Sequence, residues 1–146
     1  MNLKEYESKR TFEKTTEPKD KSEKSEGTTY VIQKHAATHL HYDLRLEMDG
    51  VLKSWAVPKE PPVNFGIRRL AIQVEDHPLS YANFTGTIPE GEYGAGSVEI
   101  WDKGTFKLID RKEDKLVVEI NGEKLNGSYV LVRLKDKKNW IFFKKK

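Results

Sequence analysis

The stretch "HAATHLHYDLRLEMDG", residues 35–50, decides how this chain is read. It places three of the four histidines within seven positions and follows them with Asp43, Arg45 and Glu47 at alternate places. Such alternation is a strand pattern, because successive side chains of a strand point to opposite faces. Tyr42, Leu44, Leu46 and Met48 make one apolar face, which belongs to a core, while His41, Asp43, Arg45 and Glu47 make the other. Antiparallel sheets often leave one polar face wet, and Glu47 is read as an ordinary charge of that kind. His41 and Asp43 are more informative. Two places apart, they sit roughly 7 Å apart along a strand and can lean toward one ion. Imidazole with carboxylate suits Mn²⁺, Zn²⁺ or Fe²⁺. The third donor is open on spacing alone. On one continuous strand His39 shares their parity, and His35 is about 20 Å away. If "AAT" instead folds "YVIQKH" back against "HLHYDLRLEM", a hairpin returns His35 to the second strand.

Outward from this segment the same texture continues. From Thr28 on, short apolar blocks alternate with Gly, Asn, Asp and Pro: "TYVIQKH", "LHYDLRLEM", "LKSWAV", "RLAIQVE", "SVEIWD", "TFKLID", "KLVVEI", "GSYVLVRL" and "NWIFFK". "MDG", "DKG" and "NG" between them are hairpin signals, since Asn and Gly accept the positive φ of tight turns. The expected fold is mostly β, a small antiparallel β-barrel with at most short flanking helices. "GTIPEGEYGAGSV" neither follows a strand nor opens a helix as a phosphate-cradling loop does, and is read as a corner-turning loop. His77, in "VEDHPLSY", precedes a proline and is thereby held extended at a strand exit. Trp55, Trp101 and Trp140 are read as core or barrel-end residues.

Length and composition set the frame. At 146 residues the chain is one domain's worth of sequence. Residues 1–27 mix charge with Ser, Thr and Pro without a sustained period, so they are assigned to a charged, partly flexible N-terminal segment with at most a short opening helix. Residues 28–146 are the folded domain. There is no cysteine, which excludes disulfides, thiolate metal sites and a cysteine nucleophile. With no run of about eighteen apolar residues and no export signal, the expectation is a soluble, cytoplasmic protein with no membrane partner. The net charge of +3 is small, although "KKNWIFFKKK" and the Arg68–Arg69 pair concentrate basic charge locally, which is compatible with a nucleic-acid partner.

"VIQKHAATHLHYDLRLEMDGVLKSWAVPK" and "RLAIQVEDHPLSYANFTGTIPEGEYGAGSVEIWDKGTF" resemble the 3′-phosphoesterase module of bacterial DNA ligase D and its free-standing bacterial and archaeal relatives. The likeness runs from about Tyr30 to Phe106, and "GSYVLVRLKDKKNWIFFKK" looks like the closing hairpin of the same module. The resemblance implies a small β-barrel with a polar, crescent-shaped channel. It implies a manganese-dependent enzyme acting on the 3′ ends of DNA primer-templates, removing a terminal ribonucleoside and then the 3′-phosphate to leave a 3′-hydroxyl. It also implies His35, His41 and Asp43 as metal ligands, which decides against His39, with Mn²⁺ preferred and Co²⁺ or Zn²⁺ possible at the same donors. Arg45 and His77 match groups at the scissile phosphate, Tyr81 matches a tyrosine of the active site, and Lys59 and Arg69 match basic residues on the phosphate side of the channel. Near the start, "KRTFEKTTEP" is similar to the family's "KRDF…TPEP". Arg10 and Glu17 fit that pattern, but Thr11 stands where an aspartate is expected, which bears on the ribonucleoside-removing step. Glu60 similarly departs from the usual "PKGP". The partners implied are a separate ATP-dependent DNA ligase and a polymerase or primase.

These residues suit phosphoryl chemistry, which needs charge neutralised and geometry fixed more than covalent help. Arg45 can fork two donors onto phosphate oxygens, as lysine cannot, and His77 can donate to the phosphate or protonate the leaving oxygen. Two other classes fit parts of the pattern. One is a non-catalytic barrel that binds nucleic-acid ends or recruits a ligase. The other is a cupin-like oxygenase with two His and one carboxylate, separable by a requirement for oxygen.

Overall fold

The computed structural model describes residues 3–9 and 28–146. After a short helix, α1 (Lys4–Ser8), come nine strands: β1 (Thr29–Ala36), β2 (Leu40–Met48), β3 (Val51–Val57), β4 (Arg68–His77), β5 (Gly86–Ile88), β6 (Gly96–Lys112), β7 (Lys115–Asn121), β8 (Asn126–Arg133) and β9 (Asn139–Lys144). A 3-10 turn, Leu79–Asn83, joins β4 to the segment leading into β5. All pairings are antiparallel, in the order β1-β2-β3-β4-β9-β8-β7-β6, and β6 returns to pair with β1. Eight strands therefore close into a barrel, and β5 lies outside the ring on the edge of β6. Among the described residues no helix is long and apolar enough to cross a membrane.

Parity decides which side chains fill the barrel. Tyr30 and Ile32 of β1, Tyr42, Leu44 and Leu46 of β2, and Trp55 and Val57 of β3 point inward. They meet Phe106, Leu116, Val118, Ile120, Tyr129, Leu131, Trp140 and Phe142 from the opposite wall. Each such side chain removed from water contributes about 1.5–3 kcal/mol against the entropy of ordering it. The opposite parity of β1 and β3 is also buried. Val31, Leu52 and Val98 pack outside the ring against Tyr6 of α1, Tyr81, Ala82, Phe84 and Ile88. The polar face of β2 thus lies between a barrel wall and a thin outer layer. Glu47, expected to be wet, is 4% exposed, and its Oε1 accepts from the Thr29 N–H at 3.2 Å. The correction follows from that contact with the start of β1, which alternation within one strand cannot reveal.

Two turn expectations meet different fates. Asp49 and Gly50 both have positive φ, 58° and 77°, as a two-residue hairpin requires. "DKG", however, is no turn: "SVEIWD" and "TFKLID" are halves of the single 17-residue β6. Its first half pairs with β1 and its second with β7, and register shifts opposite Ile32/Gln33 and between Leu108 and Asp110 bend it to serve both. Gly104 is needed for close approach, because a Cβ there would run into the Asn121 carbonyl oxygen. Asp102 is buried and accepts from Tyr30 Oη at 2.8 Å and from the backbone N–H groups of Glu123, Lys124 and Leu125. It clamps the β7–β8 connection, a longer loop than the two-residue turn that "NG" signals.

Candidate functional site

The β1–β2 hairpin brings the first histidine in. His35 pairs directly with His41 and Gln33 with Asp43, the chain turning through residues 37–39. Of the two arrangements left open by spacing, the hairpin is the one observed. His35 Nδ1 lies 3.5 Å from Asp43 Oδ2 and His41 Nε2 lies 3.2 Å from Asp43 Oδ1, and one donor atom from each of the three lies within 4.8 Å of the others. Two donors each about 2.1 Å from one ion at the tetrahedral angle would be about 3.4 Å apart, so both His–Asp separations suit donors that share a divalent cation. The second nitrogen of each ring supports the same reading. His35 Nε2 meets the Gly94 carbonyl at 2.6 Å, and His41 Nδ1 meets the His39 carbonyl at 3.0 Å. An N–H donated to a backbone carbonyl leaves the lone pair on the nitrogen that faces Asp43, the usual way a ligating imidazole is oriented. His39 thus contributes its backbone carbonyl to the arrangement. Gly94 belongs to the stretch expected only to turn a corner; that stretch does turn the chain from β5 into β6, and Gly94 orients a donor as well.

With protons rather than an ion between these groups, each shifts the other. Burial alone would raise the Asp43 carboxyl, but its hydrogen bonds with His35 and His41, and the charge of Arg45, hold it well below the usual carboxylate range. Burial pulls the His41 imidazole down, and Asp43 outweighs it, so His41 binds a proton more tightly than a free imidazole does.

Arg45, 3% exposed, lies one step deeper on β2. Its Nε donates to Gln33 Oε1 at 2.6 Å and its Nη1 to Ser54 Oγ at 2.9 Å, while Nη2 lies 3.5 Å from Asp43 Oδ2. Its guanidinium sits over the Tyr81 ring, 4.8 Å from the centroid. Gln33 also donates to the carbonyls of Tyr81 and Phe84, tying the 3-10 turn to the barrel wall. Neither Gln33 nor Ser54 was singled out from sequence. Their signal was polarity at outward parity in strands otherwise apolar there, Val31 beside Gln33 and Leu52 beside Ser54.

His77 reaches the same face through a bulge. By alternation it would share the inward parity of Ala71 and Gln73, yet Leu52 pairs with His77 and Ser54 with Val74, so β4 carries an extra residue there. That insertion re-aims His77 outward. Its Nδ1 meets the Glu75 carbonyl at 2.9 Å, which makes Nε2 the lone-pair nitrogen of the neutral ring. Around these groups lies a cavity of about 320 Å³, lined among others by His35, His41, Asp43, Arg45, His77 and Tyr81, with Glu75, Tyr93 and Gly94 completing the wall.

Lys59 and Arg69 do not line this cavity. Both lie at the barrel end where β2 begins, because Tyr42 pairs with Val57 and β4 starts beside that end of β3. Lys59 is exposed, and Arg69 Nε donates to the Glu60 carbonyl at 2.7 Å. Arg10, Thr11 and Glu17 lie outside the described residues.

Residues 33–133 match the family model described as the DNA ligase D 3′-phosphoesterase domain. The chain is 46% identical over 155 residues to the multifunctional non-homologous end joining protein LigD of Pseudomonas aeruginosa, an alignment covering 99% of this chain and 18% of the relative. It is 48% identical over 137 residues to the multifunctional non-homologous end joining DNA repair protein LigD of Mycobacterium tuberculosis, covering 90% and 18%. With the LigD of Mycolicibacterium smegmatis it shares 45% identity over 149 residues, covering 93% and 19%. The chain spans about a fifth of the length of the curated relatives it matches.

Proposed function

We propose, from the premise that this chain belongs to the DNA ligase D 3′-phosphoesterase domain family, that it is a metal-dependent phosphoesterase that heals DNA 3′ ends. Its substrate would be a primer strand ending in a 3′-phosphate, converted to a 3′-hydroxyl. A strand ending in a ribonucleotide would be trimmed first. The observation that carries this reading is the convergence of three donors, His35, His41 and Asp43, beside a buried arginine on one cavity wall.

His35 Nδ1, His41 Nε2 and an Asp43 oxygen would hold the divalent ion, Mn²⁺ by preference. When bound, it would supply Lewis-acid neutralisation of phosphate charge. The protein's own groups do the rest. Gln33 and Ser54 fix the Arg45 guanidinium, which has five N–H donors in all, and the donors they leave unused would take phosphate oxygens. Because Arg45 is buried, it gives those bonds without reorganising water. His77, with Nδ1 committed to the Glu75 carbonyl, would take up a proton at Nε2 and, as imidazolium, donate it from there to the phosphate or to the departing 3′-oxygen. Water attacks phosphorus, the bond to the 3′-oxygen breaks, and that oxygen leaves as a hydroxyl once it has gained a proton. Tyr81 would form the cavity floor beneath Arg45. Lys59 and Arg69 would meet backbone phosphates farther along the strand. Arg10 and Glu17 would serve the ribonucleoside-removing step, in which the 2′-hydroxyl distinguishes the substrate. End joining named in the relatives makes a ligase and a polymerase the expected partners.

The test is a labelled primer-template ending in a 3′-phosphate, or in one ribonucleotide, incubated with Mn²⁺, with chelator, and with His41→Ala. Metal-dependent appearance of a 3′-hydroxyl, lost in the variant, is the expected result. Retained DNA binding without turnover of either end would instead leave a non-catalytic end-binding barrel.

A further inference from the structure

Helix α1 has five residues, fewer than an isolated helix needs, and its Leu3 N-cap makes no side-chain capping bond. Local propensity does not account for it, so its tertiary contacts must. Tyr6 is fully buried. Its ring lies edge to face with His77, centroids 4.9 Å apart at 65°, and with Tyr81, 6.0 Å apart at 87°. His77 and Tyr81 meet each other at 4.7 Å and 73°, closing a triangle of three rings. At the end of the helix, Lys9 Nζ lies 3.6 Å from Glu75 Oε2, 3.3 Å from Glu5 Oε1 and over the Tyr93 ring. The side chains it reaches beyond the helix, Glu75 and Tyr93, both line the cavity. Burial works to lower the Lys9 ammonium, but Glu75, Tyr93 and Glu5 outweigh it, so the lysine stays charged in this position.

His77 donates from Nδ1 to the Glu75 carbonyl, which anchors one edge of the imidazole. The Tyr6 and Tyr81 rings pack edge to face against it, and such pairs have preferred geometry beyond their buried area, so they hold the tilt of the ring. We propose that Tyr6 is a positioning residue for His77, holding its Nε2 at the angle the phosphate requires, and that α1 is a wall of the site as well as a cover for the barrel. This rests on the reading of the cavity as a phosphoesterase site. It ties the start of the chain to the chemistry through packing, with no bond to substrate.

Leucine fills most of the same space without a ring, and phenylalanine keeps the ring without the hydroxyl. On a 3′-phosphate primer strand, Tyr6→Leu should lower kcat on the order of tenfold with KM within about twofold, and Tyr6→Phe should restore kcat to within about twofold of the parent. Carbon-13 imidazole spectra give a readout besides activity: the His77 signal should shift and broaden in Tyr6→Leu while the exposed His39 signal stays put. Unchanged kcat with an unmoved His77 signal overturns the positioning role. So does a loss of kcat that phenylalanine fails to restore. If the parent protein itself turns over no 3′-phosphate, the phosphoesterase reading falls, and the His77 signal then decides the positioning role alone, its failure to move being the contrary result.

Discussion

Arg45 illustrates how much of the site is set by single side chains. Its Nε and Nη1 bonds to Gln33 and Ser54 require a planar fork, which a lysine ammonium lacks. Arg45→Lys should therefore lower kcat for 3′-phosphate removal by roughly 100-fold, and by stranding the buried Gln33 and Ser54 oxygens it should also lower stability by about 1–3 kcal/mol. A variant as active as the parent in steady-state kinetics would contradict the role given to the fork. Gly94 offers a second test. It has φ +76°, and a Cβ there would lie 3.2 Å from His35 Cε1. Gly94→Ala would add backbone strain of about 1 kcal/mol and push the ring that its own carbonyl orients. Calorimetric titration with Mn²⁺ should show affinity weakened by about tenfold or more; equal affinity would mean that the Gly94 contact does not orient a ligand. At this scale the sequence was partly legible. His41 and Asp43 announced themselves by spacing, whereas His35 against His39 depended on whether residues 37–39 turn, and His77 by parity alone belonged inside the barrel.

Elements carry what single positions cannot. The β2–β3 turn is pinned to β6 by a bidentate pair, Arg111 Nη1 and Nη2 to Asp49 Oδ1 and Oδ2 at 3.0 and 2.7 Å. The Arg111 hydrogen bond and charge, working against slight desolvation, hold the Asp49 carboxyl below its ordinary value. A carboxyl depressed in the folded state contributes stability above its unfolded value near pH 4, and that contribution is lost as pH falls through the folded value. Both side chains are close to half exposed, so the pair contributes less than about 1 kcal/mol after solvent screening. Melting temperature measured from pH 6 to pH 2 should accordingly fall slightly less in Arg111→Met than in the parent. Identical acid slopes would show the pair to be energetically silent. The tight turn at Asp49–Gly50 was readable because positive φ is written into those residue types. The extended β6 was not, since the glycine that looked like a turn marks a close approach to Asn121, a residue seventeen places on.

For the molecule as a whole, closure is the deciding event. β1 meets β6 across about seventy residues of sequence, from Thr29↔Thr105 to Ala36↔Ser97, a pairing no local pattern can announce. A barrel was expected from the number of strands; which strands close it was not. Gly104 sits at that seam, and Gly104→Ala should cost about 3 kcal/mol by forcing β6 away from Asn121. That corresponds to a fall of roughly 5–10 °C in melting temperature, and calorimetry showing no change would mean that the seam yields freely.

The candidate site lies on the outside of the ring, while the hydrocarbon interior faces inward from the same strands. One wall therefore presents two surfaces that selection can address separately. Substitutions such as Leu↔Met or Ile↔Val among the inward residues change heat resistance with little reason to alter turnover. Substitutions in the thin outer layer of α1, the 3-10 turn and β5 change what the cavity admits while the ring stays closed. A lineage carrying this fold can drift in thermal tolerance and in substrate preference along nearly independent routes, and a laboratory library split by the same parity should separate the two traits.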